Sequence, residues 1–124
     1  MTTAYWCVLI AAMLPLVWVG AAKSGAAGYD NDRPRVFLAG LTGWPQRANW
    51  AQMNALEAFP PFAAAVIIAH LAGGNQNTID LLAVVFVLSR IVHGIFYITD
   101  KGTLRSLVWL VGFGCIVALF VTSA

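Results

Sequence analysis

Two sets of polar side chains stand at helical spacing inside stretches that are otherwise apolar. Asn54 and Glu57 are three residues apart, with Arg47 one heptad before Asn54, and Arg90, His93 and Tyr97 follow an i, i+3, i+7 pattern. On an α-helix each set falls on one face, so each would present a polar stripe to whatever packs against it. Lys23 and Arg105 lie at the edges of two further apolar stretches, and Ser106 follows Arg105 directly. Gathered at one depth, these groups describe a cationic pocket suited to a small anion with an amide-like body. The remaining question is what brings them together.

The background is a membrane sequence. Of 124 residues, 60% are hydrophobic and 10% charged, with a mean hydropathy of +0.80, outside the usual range of soluble domains. A net charge of +2 with no basic run excludes a nucleic-acid partner as the leading reading. Four apolar stretches approach the roughly 20 residues needed to cross a bilayer core. They predict helices over about 4–22, 47–72, 79–99 and 104–122. The expected architecture is an all-α, integral membrane four-helix bundle in one domain spanning 1–124, with the lipid bilayer as its surroundings. No Lys or Arg precedes the first stretch, so it reads as a retained helix rather than a secretory leader. Residues 23–46 have the Gly, Pro, Asn and Asp content of a loop, Asn77 and Thr78 read as a cap, and Asp80 falls in the expected first turn of the third helix.

Basic residues orient the bundle. Lys23, Arg33, Arg35 and Arg47 cluster around the first loop, and Lys101 and Arg105 around the third, while the second loop and both termini carry none. Lys and Arg remain preferentially on the cytoplasmic side. The first and third loops are therefore expected to be cytoplasmic and both termini to lie on the far side, in the inner membrane if the cell is bacterial. Glu57 lies ten residues beyond Arg47, and Arg90 ten before Asp100, which at 1.5 Å per residue puts both about 15 Å from that edge. A charge at that depth is costly unless paired or facing a wet cavity, so the two are expected to be coupled directly or through a ligand.

Simpler roles are available to each residue taken singly. Glu57 and Arg90 could form a packing ion pair, and Asn54 and His93 interhelical hydrogen bonds; a set of six polar groups at one end exceeds what packing needs. Pro60 and Pro61 free carbonyls near Leu56 and Glu57, which either kinks the helix beside the acid or shapes its packing. Cys7 and Cys115 lack metal spacing and read as buried free thiols. Trp6, Trp44, Trp50 and Trp109 read as interfacial anchors and His70 as an end-of-helix residue near the far interface. Gly112, Gly114 and the alanines at 63–65 permit close helix approach.

The run W-A-Q-M-N-A-L-E-A-F-P over residues 50–60 resembles the second-helix signature of the MAPEG family, the membrane-associated proteins of eicosanoid and glutathione metabolism, in which Arg-Ala-Gln leads into Asn-x-x-Glu-x-x-Pro. The run R-I-V-H-G-I-F-Y over residues 90–97, with Arg105-Ser106 after it, resembles elements of the prostaglandin E synthase and leukotriene C synthase members. Length, span number and orientation agree, so the resemblance covers essentially the whole chain.

The resemblance implies a homotrimer that binds glutathione, as co-substrate, between neighbouring protomers. Asn54 and Glu57 would hold its backbone, with Glu57 facing the amino group. Arg90, Tyr97 and Lys23 would contact its carboxylates or peptide part, with His93 and Arg47 as further binding residues. Arg105 would sit by the sulfur and favour the thiolate, helped by Ser106. The chain departs from the pattern at Trp50 and Met53, where prostaglandin E synthase carries Arg. Two functions of different class follow: a glutathione transferase or peroxidase acting on a hydrophobic small-molecule electrophile, or a non-catalytic scaffold or lipid-binding subunit on the same fold.

Overall fold

The computed structural model describes residues 1–124. It contains five helices and no strand: α1 (Thr3–Ser24), α2 (Pro34–Ala39), α3 (Gly43–Leu71), α4 (Gln76–Ile98) and α5 (Gly102–Thr122). All but α2 are long and apolar enough to cross a membrane. α1 packs chiefly on α3 and α4 chiefly on α5, with α3 and α4 joining the two pairs.

The helices begin earlier than hydropathy indicates. α3 starts at Gly43 rather than near Arg47, because Pro45 sits in the first turn, where a missing N–H costs nothing. α4 is capped by Asn75, whose side chain accepts from the Thr78 amide at 3.1 Å, and not by Asn77 and Thr78. Asp80 therefore lies beyond the first turn. Its carboxylate serves another helix, accepting from the Ala4 amide at the open start of α1 (2.9 Å) and from the Gln76 carboxamide (2.8 Å). Gln76 in turn meets His70 at 3.0 Å. The short α2 falls within residues that read as loop; Pro34 opens it, and Phe37 and Leu38 pack around Ala22, Leu41 and Ala48.

Two tight turns govern the ends. Gly73, at φ 76°, closes α3, with the Gly74 amide bonded to the Ala69 carbonyl and the Gly73 amide to that of His70. The same double bond pattern recurs at Asp100, at φ 61°, where Lys101 donates to Phe96 and Asp100 to Tyr97. That three-residue turn, Thr99 to Lys101, places the first turn of α5 directly beside Tyr97.

The core is built from small residues and stacked aromatics. Ala4, Cys7 and Ala11 of α1 meet Phe62, Ala65, Val66 and Ala69 of α3, with Ile79, Ala83 and Phe86 of α4 and Cys115, Ile116 and Leu119 of α5 completing it. The Phe62 and Phe86 rings stack at 3.9 Å. Lipid is as apolar as these side chains, so their association rests on close packing. Gly94 is required here: a Cβ would collide with the Trp18 ring on α1. Gly112 likewise serves the protomer's own interior, since its Cβ would lie 2.9 Å from Ser89 Oγ, whereas Gly114 faces open space. Cys7 and Cys115 are buried free thiols.

Candidate functional site

The site occupies the concave side of α3, α4 and α5. One cavity of about 220 Å³ is lined by Asn54, Glu57 and Pro61 of α3, Phe86 and Arg90 of α4, and Trp109 and Phe113 of α5, among others. An adjoining cavity, also about 220 Å³, is lined by Asn54, His93, Tyr97, Arg105, Ser106 and Trp109. Asn54 and Trp109 line both, so the two cavities are neighbours, one toward the α4–α5 turn and one toward mid-helix.

Helical periodicity explains the gathering. Arg90, His93 and Tyr97 lie along one face of α4, and Arg105, Trp109 and Gly112 along the facing side of α5. Arg90 is 5% exposed and His93 3%. An Arg90 terminal nitrogen donates to Asn54 Oδ1. Arg90 Nε and His93 Nδ1 are buried without a partner, although buried polar groups are ordinarily satisfied. Glu57 lines the same cavity as Arg90, but the hydrogen bond Arg90 makes goes to the amide of Asn54. Glu57 is exposed on the single protomer, at mid-helix, where an acid facing lipid is costly.

At the turn end, the Arg105 guanidinium lies 4.3 Å from the centre of the Tyr97 ring. Tyr97 also meets His93 edge-on at 5.7 Å and Trp50 at 6.3 Å. The contact holds the Arg105 guanidinium over the Tyr97 ring, and Arg105 makes no hydrogen bond to a protein acceptor. Arg105 and Ser106 sit within the first turns of α5, where free backbone amides also favour an anion.

Seven of the nine residues singled out from sequence line these two cavities. The other two do not. Arg47 Nε donates to the Ile98 carbonyl at 3.0 Å, satisfying the end of α4. Lys23 Nζ lies 4.7 Å above the Tyr29 ring in the α1–α2 loop. Conversely, Trp109 is more than the interfacial anchor its position near a helix end indicates. It lines both cavities and stacks on Phe113 at 5.3 Å, the two rings 4° from parallel. Its spacing of four residues from Arg105 was the available signal, since that spacing places the two on one face.

No metal-ligating cluster of His, Cys, Asp or Glu is present. No curated protein and no solved structure matches the chain. The model of the MAPEG family matches residues 3–124, nearly the whole chain. With four spans and the Asn54, Glu57, Arg90, Tyr97 and Arg105 constellation gathered around the two cavities, that match has a structural counterpart, and the chain belongs to the MAPEG family.

Proposed function

We propose that this protein is a membrane-bound glutathione-dependent transferase or peroxidase, assembled as a homotrimer, that acts on a hydrophobic electrophile arriving from the bilayer. The family is one of membrane proteins with glutathione-related transferase and synthase activities. The observation that carries the proposal is the pair of neighbouring cavities that share Asn54 and Trp109. A cation at a helix start, a hydroxyl, an imidazole and a phenol lie at one end, and an acid, an amide and a buried guanidinium at the other.

Glutathione suits this donor set. It is a tripeptide with one ammonium, two carboxylates and amide bonds, and the unpartnered Arg90 Nε and His93 Nδ1 are groups its polar backbone can satisfy. Glu57 holds the ammonium, Asn54 the amide backbone, and Arg90 and Tyr97 a carboxylate. Glutathione supplies the sulfur nucleophile. Arg105 and the first-turn amides of α5 stabilise that sulfur as thiolate, and Ser106 donates a hydrogen bond to it. Trp109 and Phe113 offer an aromatic wall to the electrophile on the lipid side. In transfer, the thiolate forms a bond to the electrophilic carbon while the leaving group departs with its electron pair. The exposure of Glu57 on one protomer supports an assembly in which a second copy covers it. The basic first and third loops face the cytoplasm and both termini the far side.

A second reading, a non-catalytic scaffold of the same fold, is favoured by Trp50 and Met53, which stand exposed where related enzymes carry cations. Isothermal titration of detergent-purified protein with glutathione, followed by a conjugation assay with an aromatic electrophile, separates the two. The enzyme binds and conjugates; the scaffold does neither.

A further inference from the structure

Of the five tryptophans, Trp18 alone is buried: it is 8% exposed, whereas Trp109, the next most covered, is 41% exposed. Tryptophans in membrane proteins usually face the headgroup region; Trp18 faces inward, so anchoring does not account for it. It stands on α1, which contributes no residue to either cavity of the site. Its indole lies against the backbone of α4 at Gly94, where a Cβ would overlap three atoms of the ring. Ala51 and Ala55 of α3 complete this small cluster, and Tyr97 and Ile98 of α4 pack on it.

Gly94 is one helical turn from both Arg90 and Tyr97, so the indole fills a notch on the flank of the polar stripe of α4. The other members of the cluster, Ala51 and Ala55, are small, which leaves Trp18 as the bulk against which the Tyr97 ring rests. Tyr97 in turn lies under the Arg105 guanidinium, 4.3 Å from ring centre to cation, and meets His93 edge-on at 5.7 Å. With no hydrogen bond of its own to a protein acceptor, Arg105 depends on that ring for its place. A chain of contacts therefore runs from α1 through Tyr97 to the first turn of α5.

We infer that Trp18 is a positioning residue for the proposed thiolate chemistry: it holds the Tyr97 ring, and through it the Arg105 guanidinium, at the distance from the glutathione sulfur that favours the anion. The inference rests on the glutathione reading and extends the site to a helix that lines no part of it. A site held by its own residues alone is loose by an ångström or so unless a supporting layer locks it, and here the supporting layer is an aromatic ring from α1.

The test is a cycle of Trp18→Phe, Arg105→Leu and the two together, read by thiolate absorbance of bound glutathione across pH, with the thermal midpoint measured alongside. Phenylalanine keeps an aromatic side chain but removes one ring of the indole, so Tyr97 settles toward α1. A cation that follows it from about 4 Å to about 5 Å from the sulfur loses about a fifth of its attraction, and the thiolate-to-thiol ratio falls about two- to fourfold. Glutathione affinity should change by less than about twofold, since ionisation supplies only part of it. On the Arg105→Leu background Trp18→Phe should leave the ratio unchanged, because no cation remains to be positioned. If Trp18→Phe lowers the thermal midpoint without moving the ratio, or lowers the ratio equally on both backgrounds, Trp18 is a packing residue only, and the inference falls while the glutathione reading stands. Wild type that binds no glutathione, or binds it without ionising it, overturns that reading and this inference with it.

Discussion

Replacing Arg105 by leucine removes the cation at the sulfur end of the site together with its contact to the Tyr97 ring. A guanidinium about 4 Å from a thiolate is worth about 4 kcal/mol at an effective dielectric of roughly 20. The cavity is open on one side and Arg105 is half-buried, so about half of that, roughly 2 kcal/mol, is a fair figure after solvent screening. That is roughly a 30-fold change in the ratio of thiolate to thiol. A free thiol is ionised to only a few per cent at neutral pH, so the wild-type site should hold bound glutathione about half as thiolate. Arg105→Leu should return it to a few per cent and lower conjugation about 10-fold or more, while Arg105→Lys keeps most of the effect. Ultraviolet thiolate absorbance on adding glutathione reads the first quantity, and single-turnover conjugation the second. Ser106→Ala should do less, since a neutral donor stabilises an anion less than a cation does. If Arg105→Leu retains the thiolate signal and the rate, and changes only insertion or thermal stability, Arg105 is a headgroup anchor and the chemical step has been assigned wrongly.

Other expectations follow from single contacts. Asn54→Ala leaves the buried Arg90 guanidinium without its amide and should cost about 2–3 kcal/mol, read as a fall in thermal midpoint, whereas replacing both residues by leucine should cost less than the sum of the singles. Additive losses would show that the two side chains do not meet. Gly94→Ala should lower stability by about 1–3 kcal/mol through collision with Trp18, and Gly114→Ala, which faces open space, should not. Cysteines placed at Asp32 and Lys101 should label from the cytoplasm and those at Asn75 and Ser123 from the far side; reversed labelling would overturn the orientation drawn from the basic loops.

The spans were legible in the sequence because a bilayer demands a long apolar stretch with few charges, and each of the four provides one. The polar stripe of α4 was legible for a similar reason: three polar groups at helical spacing in apolar surroundings leave one face for them. Less was visible at the ends. α2 is a helix of six residues, too short for periodicity to register, and the start of α3 was obscured by Pro45, a loop signal that a first helical turn tolerates. Asp80 satisfied a local rule about helix dipoles, yet its carboxylate bonds to Ala4, a partner 76 residues away in sequence. Arg47 shows the same limit, since its register points along the stripe of Asn54 while its guanidinium reaches across to Ile98. Such partners, distant in sequence, leave no trace in spacing. Trp109 did leave one, on the face of Arg105, but its nearness to a helix end gave it a simpler role.

The proposed function is that of a trimer binding glutathione in the cavities lined by Glu57, Arg90 and Arg105. Native mass spectrometry from mild detergent, with glutathione in excess, tests both halves at once. A trimer should be the main species, gaining up to one glutathione per protomer, with no gain in an Arg90→Leu, Arg105→Leu variant that remains trimeric. A stable monomer or dimer as the main species, or a trimer that takes up no glutathione at saturating concentration, would contradict it.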